Sequence, residues 1–155
     1  MSFVISGVDP TPFLSLYGLS DEELTRQAVC RVVANEPRSF PERVELRDAE
    51  PGESLLLLNY VHQPTNTPYQ SSHAIFVREG ATVAARFEAQ VPAVMQRRLI
   101  SLRAFNTTHH IVTADVVDGS ALEASIAAFL ARDDVAYLHA HYAKYGCFAA
   151  TVHRA

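Results

Sequence analysis

The chain reads as an α+β domain, a mainly antiparallel β-sheet carrying one amphipathic helix at about 120–131 and short flanking helices. Three observations predict this. Two helix starts are marked by S-x-x-E chemistry, elsewhere the apolar period is closer to two, and neighbouring strand segments are joined mainly by hairpin-like spacers.

Period-two segments predict strands at 3–5, 29–34, 43–47, 54–60, 73–78, 99–105, 110–117, 135–142 and 147–153. Between the first two, Ser20-Asp-Glu-Glu23 fits a capping box, in which serine and glutamate side chains satisfy free amide donors reciprocally, and opens a short helix over about 21–27. Pro51-Gly52 marks a turn ahead of a leucine-rich strand. Pro92 suits the first turn of a short helix near 92–97, where its missing donor costs nothing. A second box, Ser120 to Glu123, opens the helix 120–131, with Leu122, Ile126, Phe129 and Leu130 forming one apolar stripe. The spacers 106–109 and 143–146 suit hairpins between the strands they join.

At 155 residues the chain is expected to be a single domain, 1–155. A chain of that size hides roughly 70% of its unfolded surface, so it needs no staple. Its 48% hydrophobic and 19% charged residues exclude a mostly disordered protein. A net charge of −4 offers no general attraction to phosphate backbones, so no nucleic-acid partner is expected. Apolar runs such as 55–58 are far too short to cross a bilayer, and the N-terminal residues lack the basic flank and apolar stretch of a signal peptide. Cys30 and Cys147 form no CxxC pattern, which makes a reduced, cytoplasmic chain the expectation.

Strand alternation sorts the polar residues by face. Over 135–142, Val135, Tyr137, His139 and His141 share one face, and Ala136, Leu138, Ala140 and Tyr142 the other. Over 98–105, Ile100, Leu102 and Ala104 make an apolar face, leaving Ser101, Arg103 and Phe105 opposite. The stretch 59–73 reads as a polar loop between two apolar strands, with His62, Tyr69, Ser71, Ser72 and His73 close together.

The residues also resemble a family. Arg43 to Glu53, Leu55 to Tyr60 with His62, Pro68 to Glu79, Arg98 to Phe105, and His141 followed by Gly146-Cys147-Phe148 are similar to the DUF1203 family of uncharacterised bacterial proteins. The resemblance runs over nearly the whole chain and implies little about activity. Two positions depart from the family pattern. Glu42 stands where a cysteine often precedes the arginine of the first motif, so a pairing of that cysteine with Cys147 is impossible here. Tyr142 stands where the pattern tends to have asparagine.

Several chemistries remain open. Arg43, Arg103, His139 and His141, with His62, His73, Tyr69, Ser71 and Ser72, offer donors for a small, anionic ligand. The alternative is that the arginines pair with Asp48, Glu50 and Glu53 in a structural network. His139 and His141, with His62 or His73 and a carboxylate from Asp48 or Glu53, could hold a metal, although no HExxH or Cys/His spacing supports one. Cys147 with His141 as base could act as a nucleophile, against the usual burial of cysteine. No G-x-S-x-G elbow or phosphate-binding glycine loop is present, and no particular cofactor is specified. The competing function class is an interaction module, such as a homodimer, whose histidines and arginines are structural.

Overall fold

The computed structural model describes residues 2–155. In chain order the elements are β1 (Phe3–Ser6), α1 (Asp21–Arg26), β2 (Cys30–Val33), β3 (Pro41–Glu42), β4 (Arg47–Asp48), β5 (Ser54–Gln63), β6 (Ser71–Arg78), β7 (Arg86–Glu88), α2 (Ala93–Gln96), β8 (Leu99–Phe105), β9 (Ile111–Asp118), α3 (Leu122–Leu130), β10 (Tyr137–Tyr142) and β11 (Phe148–Arg154). Short 3-10 turns occupy Thr11–Leu16 and Gly119–Ala121.

The architecture is α+β and mainly antiparallel, but the strands form two sheets rather than the single one expected. A six-stranded sheet has the order β7-β1-β11-β10-β8-β9, antiparallel throughout. A five-stranded sheet has the order β2-β5-β6-β3-β4, with one parallel contact between β3 and β6. One face of the larger sheet packs against α3, where Leu122, Ile126 and Leu130 meet Ile100, Leu102, Leu138, Ala140 and Val152. In the second core, Leu56, Leu58, Ile75 and Val77 of the smaller sheet meet Phe148 of β11, joined by Phe13, Leu16 and Leu24. Each such side chain, fully buried, contributes roughly 1.5–3 kcal/mol of transfer free energy. Among the described residues, no helix is long and apolar enough to cross a membrane.

Other departures from the sequence reading have local causes. Segment 43–47 turns instead of extending, because the Glu42 carboxylate accepts the amides of Val44 and Glu45 (2.7 Å each) and Leu46 adopts φ 52°. The box at Ser20 forms as expected, with Glu23 N–H donating to Ser20 Oγ and Ser20 N–H to Glu23 Oε2. The box at Ser120 does not form. Asp118 accepts the Ser120 amide instead, and the α-helix starts two residues later, at Leu122, with no side-chain cap at Ala121. Gly119 permits that start, since a Cβ there would lie 1.9 Å from the Met95 carbonyl oxygen. Strand β7 was not anticipated. About half of the expected loop 59–73 is strand, because β5 continues to Gln63 and β6 begins at Ser71, leaving 64–70 as the connection.

Candidate functional site

Alternation in β10 turns Leu138, Ala140 and Tyr142 toward α3, and Tyr137, His139 and His141 toward the opposite face. The β8 register then places Phe105, Arg103 and Ser101 beside those three residues in turn, with Arg103 directly across from His139. Segment 137–142 is therefore extended, as expected, although Val135 precedes the strand and joins the apolar core.

The smaller sheet supplies the facing residues. Tyr60 pairs with His73 and Val61 with Ser72, after which the register shifts and Gln63 pairs with Ser71. His62 is the extra residue of this bulge. A second bulge lies across from it, where His141 pairs with Phe148 and Ala149 is skipped. Bulges re-aim side chains locally, and here one in each sheet borders the same histidines.

Three imidazoles meet between the sheets. His62 Nε2 lies 2.7 Å from His73 Nδ1, with the ring planes 16° apart. Ser71 Oγ lies 3.2 Å from the same Nε2. The His141 ring stands nearly perpendicular to both, 4.9 Å from His62 and 5.3 Å from His73 between centroids. One ring nitrogen from each of the three lies within 4.8 Å of the other two. Phe148 lies parallel to His62, centroids 4.9 Å apart, and His139 meets His62 edge-on at 5.7 Å.

His141, His139 and His62 are 1%, 4% and 8% exposed, whereas His73, Ser71 and Arg103 remain partly open. His141 Nδ1 contacts the Gly146 carbonyl oxygen at 2.9 Å, a geometry that makes Nδ1 the donor and leaves Nε2 bare. That Nε2 has no hydrogen-bond partner, nor do His139 Nδ1 and His62 Nδ1. Gly146 reaches this position in the tight β10–β11 turn with φ 77°, a left-handed conformation that suits glycine.

Burial sets the electrostatics. It pushes His139 and His141 down to about 3 and His62 to about 4, and lowers His73 as well. The Arg103 charge lowers all four further, and for His141 the bond to Gly146 works in the opposite direction. At neutral pH these are uncharged rings with usable lone pairs. Arg103 itself is lowered by burial, and its Nε donates to Ser101 Oγ at 3.2 Å. Among the described residues Arg103 enters no ion pair, and no carboxylate bonds any of the four imidazoles.

The structure thus brings together His62, Ser71, His73, Arg103, His139 and His141. It does not bring the remaining candidates to them. Arg43 is buried and donates to the carbonyls of Phe148 (2.8 Å) and Pro41 and to Cys147 Sγ (2.9 Å), with its guanidinium 4.9 Å from the centre of the Tyr142 ring. Ser72 is exposed on the other face of β6. Tyr69 sits edge-on to Phe105 and His110. Cys147 packs toward the α3 core with its sulfur against Arg43, while His141 Nδ1 is committed to Gly146. Asp48 is held by Arg97 (2.7 Å) and Arg98 (2.6 Å), and Glu53 by Arg47 (2.6 Å), so neither carboxylate joins the cluster. A surface hollow of about 590 Å³ is lined by Asp48 and Arg97, with no histidine among its lining residues.

Sequence reasoning missed a neighbouring polar chain. Gln63 Nε2 donates to the Tyr137 hydroxyl at 2.9 Å, and His109 Nδ1 lies 2.8 Å from the same oxygen. Period two placed Tyr137 on the histidine face. Nothing in the pattern announced Gln63, because the bulge turns two consecutive residues inward.

A two-sheet α+β domain with a cluster of neutral histidines and one unpaired arginine where the sheets meet is the class of protein these features define. The chain belongs to the family described as protein of unknown function (DUF1203), whose family model matches residues 39–154, a span containing every member of the cluster. No curated protein and no solved structure matches it.

Proposed function

We propose that the cluster binds a small anion, and that the protein is a small-ligand-binding protein or an enzyme acting on such a molecule. The observation that carries this reading is Arg103. A guanidinium has five N–H donors, and Arg103 spends one of them on Ser101 while resting half-buried beside four neutral rings. A carboxylate or phosphate would occupy the remaining donors in a charge-assisted, bidentate pair. Ser71 and His73, also partly open, add uncharged donors at the same place. The free thiols Cys30 and Cys147 fit a reducing, cytoplasmic setting.

Titration with inorganic phosphate and acetate, followed by thermal shift and calorimetry, tests the reading. Saturable stabilisation is expected in the wild-type protein, with affinity at least about tenfold weaker in Arg103→Gln, since charge-assisted hydrogen bonds contribute roughly 1.5–3 kcal/mol each. Equal binding by both proteins refutes it.

A second reading, self-association, draws support from β9. This eight-residue edge strand of the larger sheet has an unpaired outer edge and an exposed Val116. Light scattering across a concentration series distinguishes a dimer from a monomer.

A further inference from the structure

We infer that His62, His73 and His141 form a three-imidazole site for one divalent first-row transition ion, with the anion held by Arg103 completing the coordination. The inference deepens the anion-binding reading and rests on the same cluster.

Three independent features support it. The ring nitrogens of the three residues already lie within 4.8 Å of one another, and they come from three strands in two sheets, so no local sequence preference brings them there. His141 Nε2 is bare and unpartnered in a residue 1% exposed, which is costly unless something accepts its lone pair. His141 Nδ1 meanwhile donates to a backbone carbonyl, the outer contact that orients a metal-binding imidazole and fixes its tautomer.

Donor chemistry selects the ion. Neutral nitrogen ligands without carboxylates suit zinc, cobalt, nickel or iron(II), whereas calcium and magnesium require oxygen. A tetrahedral ion about 2.05 Å from each nitrogen needs ligand separations of about 3.3 Å. The 2.7 Å contact between His62 and His73 would therefore open slightly, and His141 would move in. His139 lies outside the triad. Three neutral ligands leave the ionic charge uncompensated, and Arg103 adds a like charge. Metal and anion should therefore bind cooperatively, each strengthening the other by the same factor.

The experiment uses full-length protein carrying no histidine tag, titrated with cobalt(II) with and without acetate. One equivalent should give saturable visible absorption. Proton NMR of the cobalt-loaded wild type should show three exchangeable, paramagnetically shifted imidazole N–H signals, which requires no variant to fold. His73→Gln and His141→Gln should weaken cobalt binding more than the 10–100-fold typical of losing an outer-shell contact, whereas His110→Gln, at an exposed histidine outside the cluster, should leave it within about threefold. Acetate should tighten cobalt binding about tenfold or more in the wild type and not in Arg103→Gln. Absence of saturable binding under both conditions, or three N–H signals that persist when His141 is replaced, overturns the metal site. If acetate still stabilises the metal-free protein in that case, the anion reading survives alone. Cobalt bound by three imidazoles with acetate inert toward both forms overturns the anion reading instead.

Discussion

Arg43 and Arg103 both lie inside the fold without a carboxylate partner, yet they do opposite things. Arg43 has each of its three nitrogens engaged, by two carbonyls and a sulfur, with an aromatic ring beside it, and so clamps the β3–β4 turn to the start of β11. Arg103 has one side-chain partner and keeps the rest of its fork free beside neutral imidazoles. Lack of a counter-ion is thus a poor mark of a binding residue. What separates the two is who satisfies their donors.

Substitution can break the comparison, and the largest effect on stability should come from Arg43. Arg43→Met strands buried carbonyls that now receive charge-assisted bonds, so urea unfolding should report a loss of about 3–4 kcal/mol. A loss under 1 kcal/mol would mean that the clamp is redundant.

Acid should have the next largest effect. His139 and His141 are held at about 3 against an ordinary value of 6.5, so below pH 6.5 the unfolded chain takes up protons that the folded one refuses. Their contribution is complete above that pH and fades as pH falls toward 3. At up to about 1.4 kcal/mol per group per pH unit, these two groups should lower stability by about 4 kcal/mol between pH 7 and pH 5. Arg103→Gln should soften the acid end of this fall, below about pH 5, where the folded imidazoles themselves begin to take up protons, because removing its charge lets them protonate more readily. Denaturation curves at stepped pH that run parallel for the two proteins would contradict the coupling.

Cys147→Ala should cost about 1 kcal/mol, the worth of one weak acceptor on a guanidinium plus a little packing. Arg103→Gln should change stability at pH 7 by no more than about 0.5 kcal/mol, while abolishing most of the phosphate affinity. A large destabilisation there would turn Arg103 into a second Arg43.

Much of this was legible in the sequence, and the failures are instructive. Period two placed His139 and His141 on one face of their strand and Arg103 on the polar face of its own, because strand alternation is a local property of the backbone, whereas the pairing that sets Arg103 across from His139 is tertiary. The pairing of His73 with His62 was not legible as geometry, since it depends on where β5 ends and on a register shift. Segment 43–47 misled for a different reason. Its apolar alternation is real, with Val44 and Leu46 both buried, but the Glu42 carboxylate takes up the amides that a strand would have used. Arg43 and Arg103 likewise look alike in sequence. Only tertiary contacts between residues about a hundred positions apart reveal that all three nitrogens of one are engaged.

The bulges at His62 and opposite His141 have a further consequence. Each depends on one surplus residue, so the site is encoded in strand length as much as in residue identity. Deleting Val61 or Ala149 would remove no cluster residue, yet the first would turn His62 to the other face of β5 and the second would turn Phe148 away from His62 and draw Gly146 off His141. Point substitutions can tune this chemistry gradually, whereas a single-codon deletion in either strand should scatter it at once.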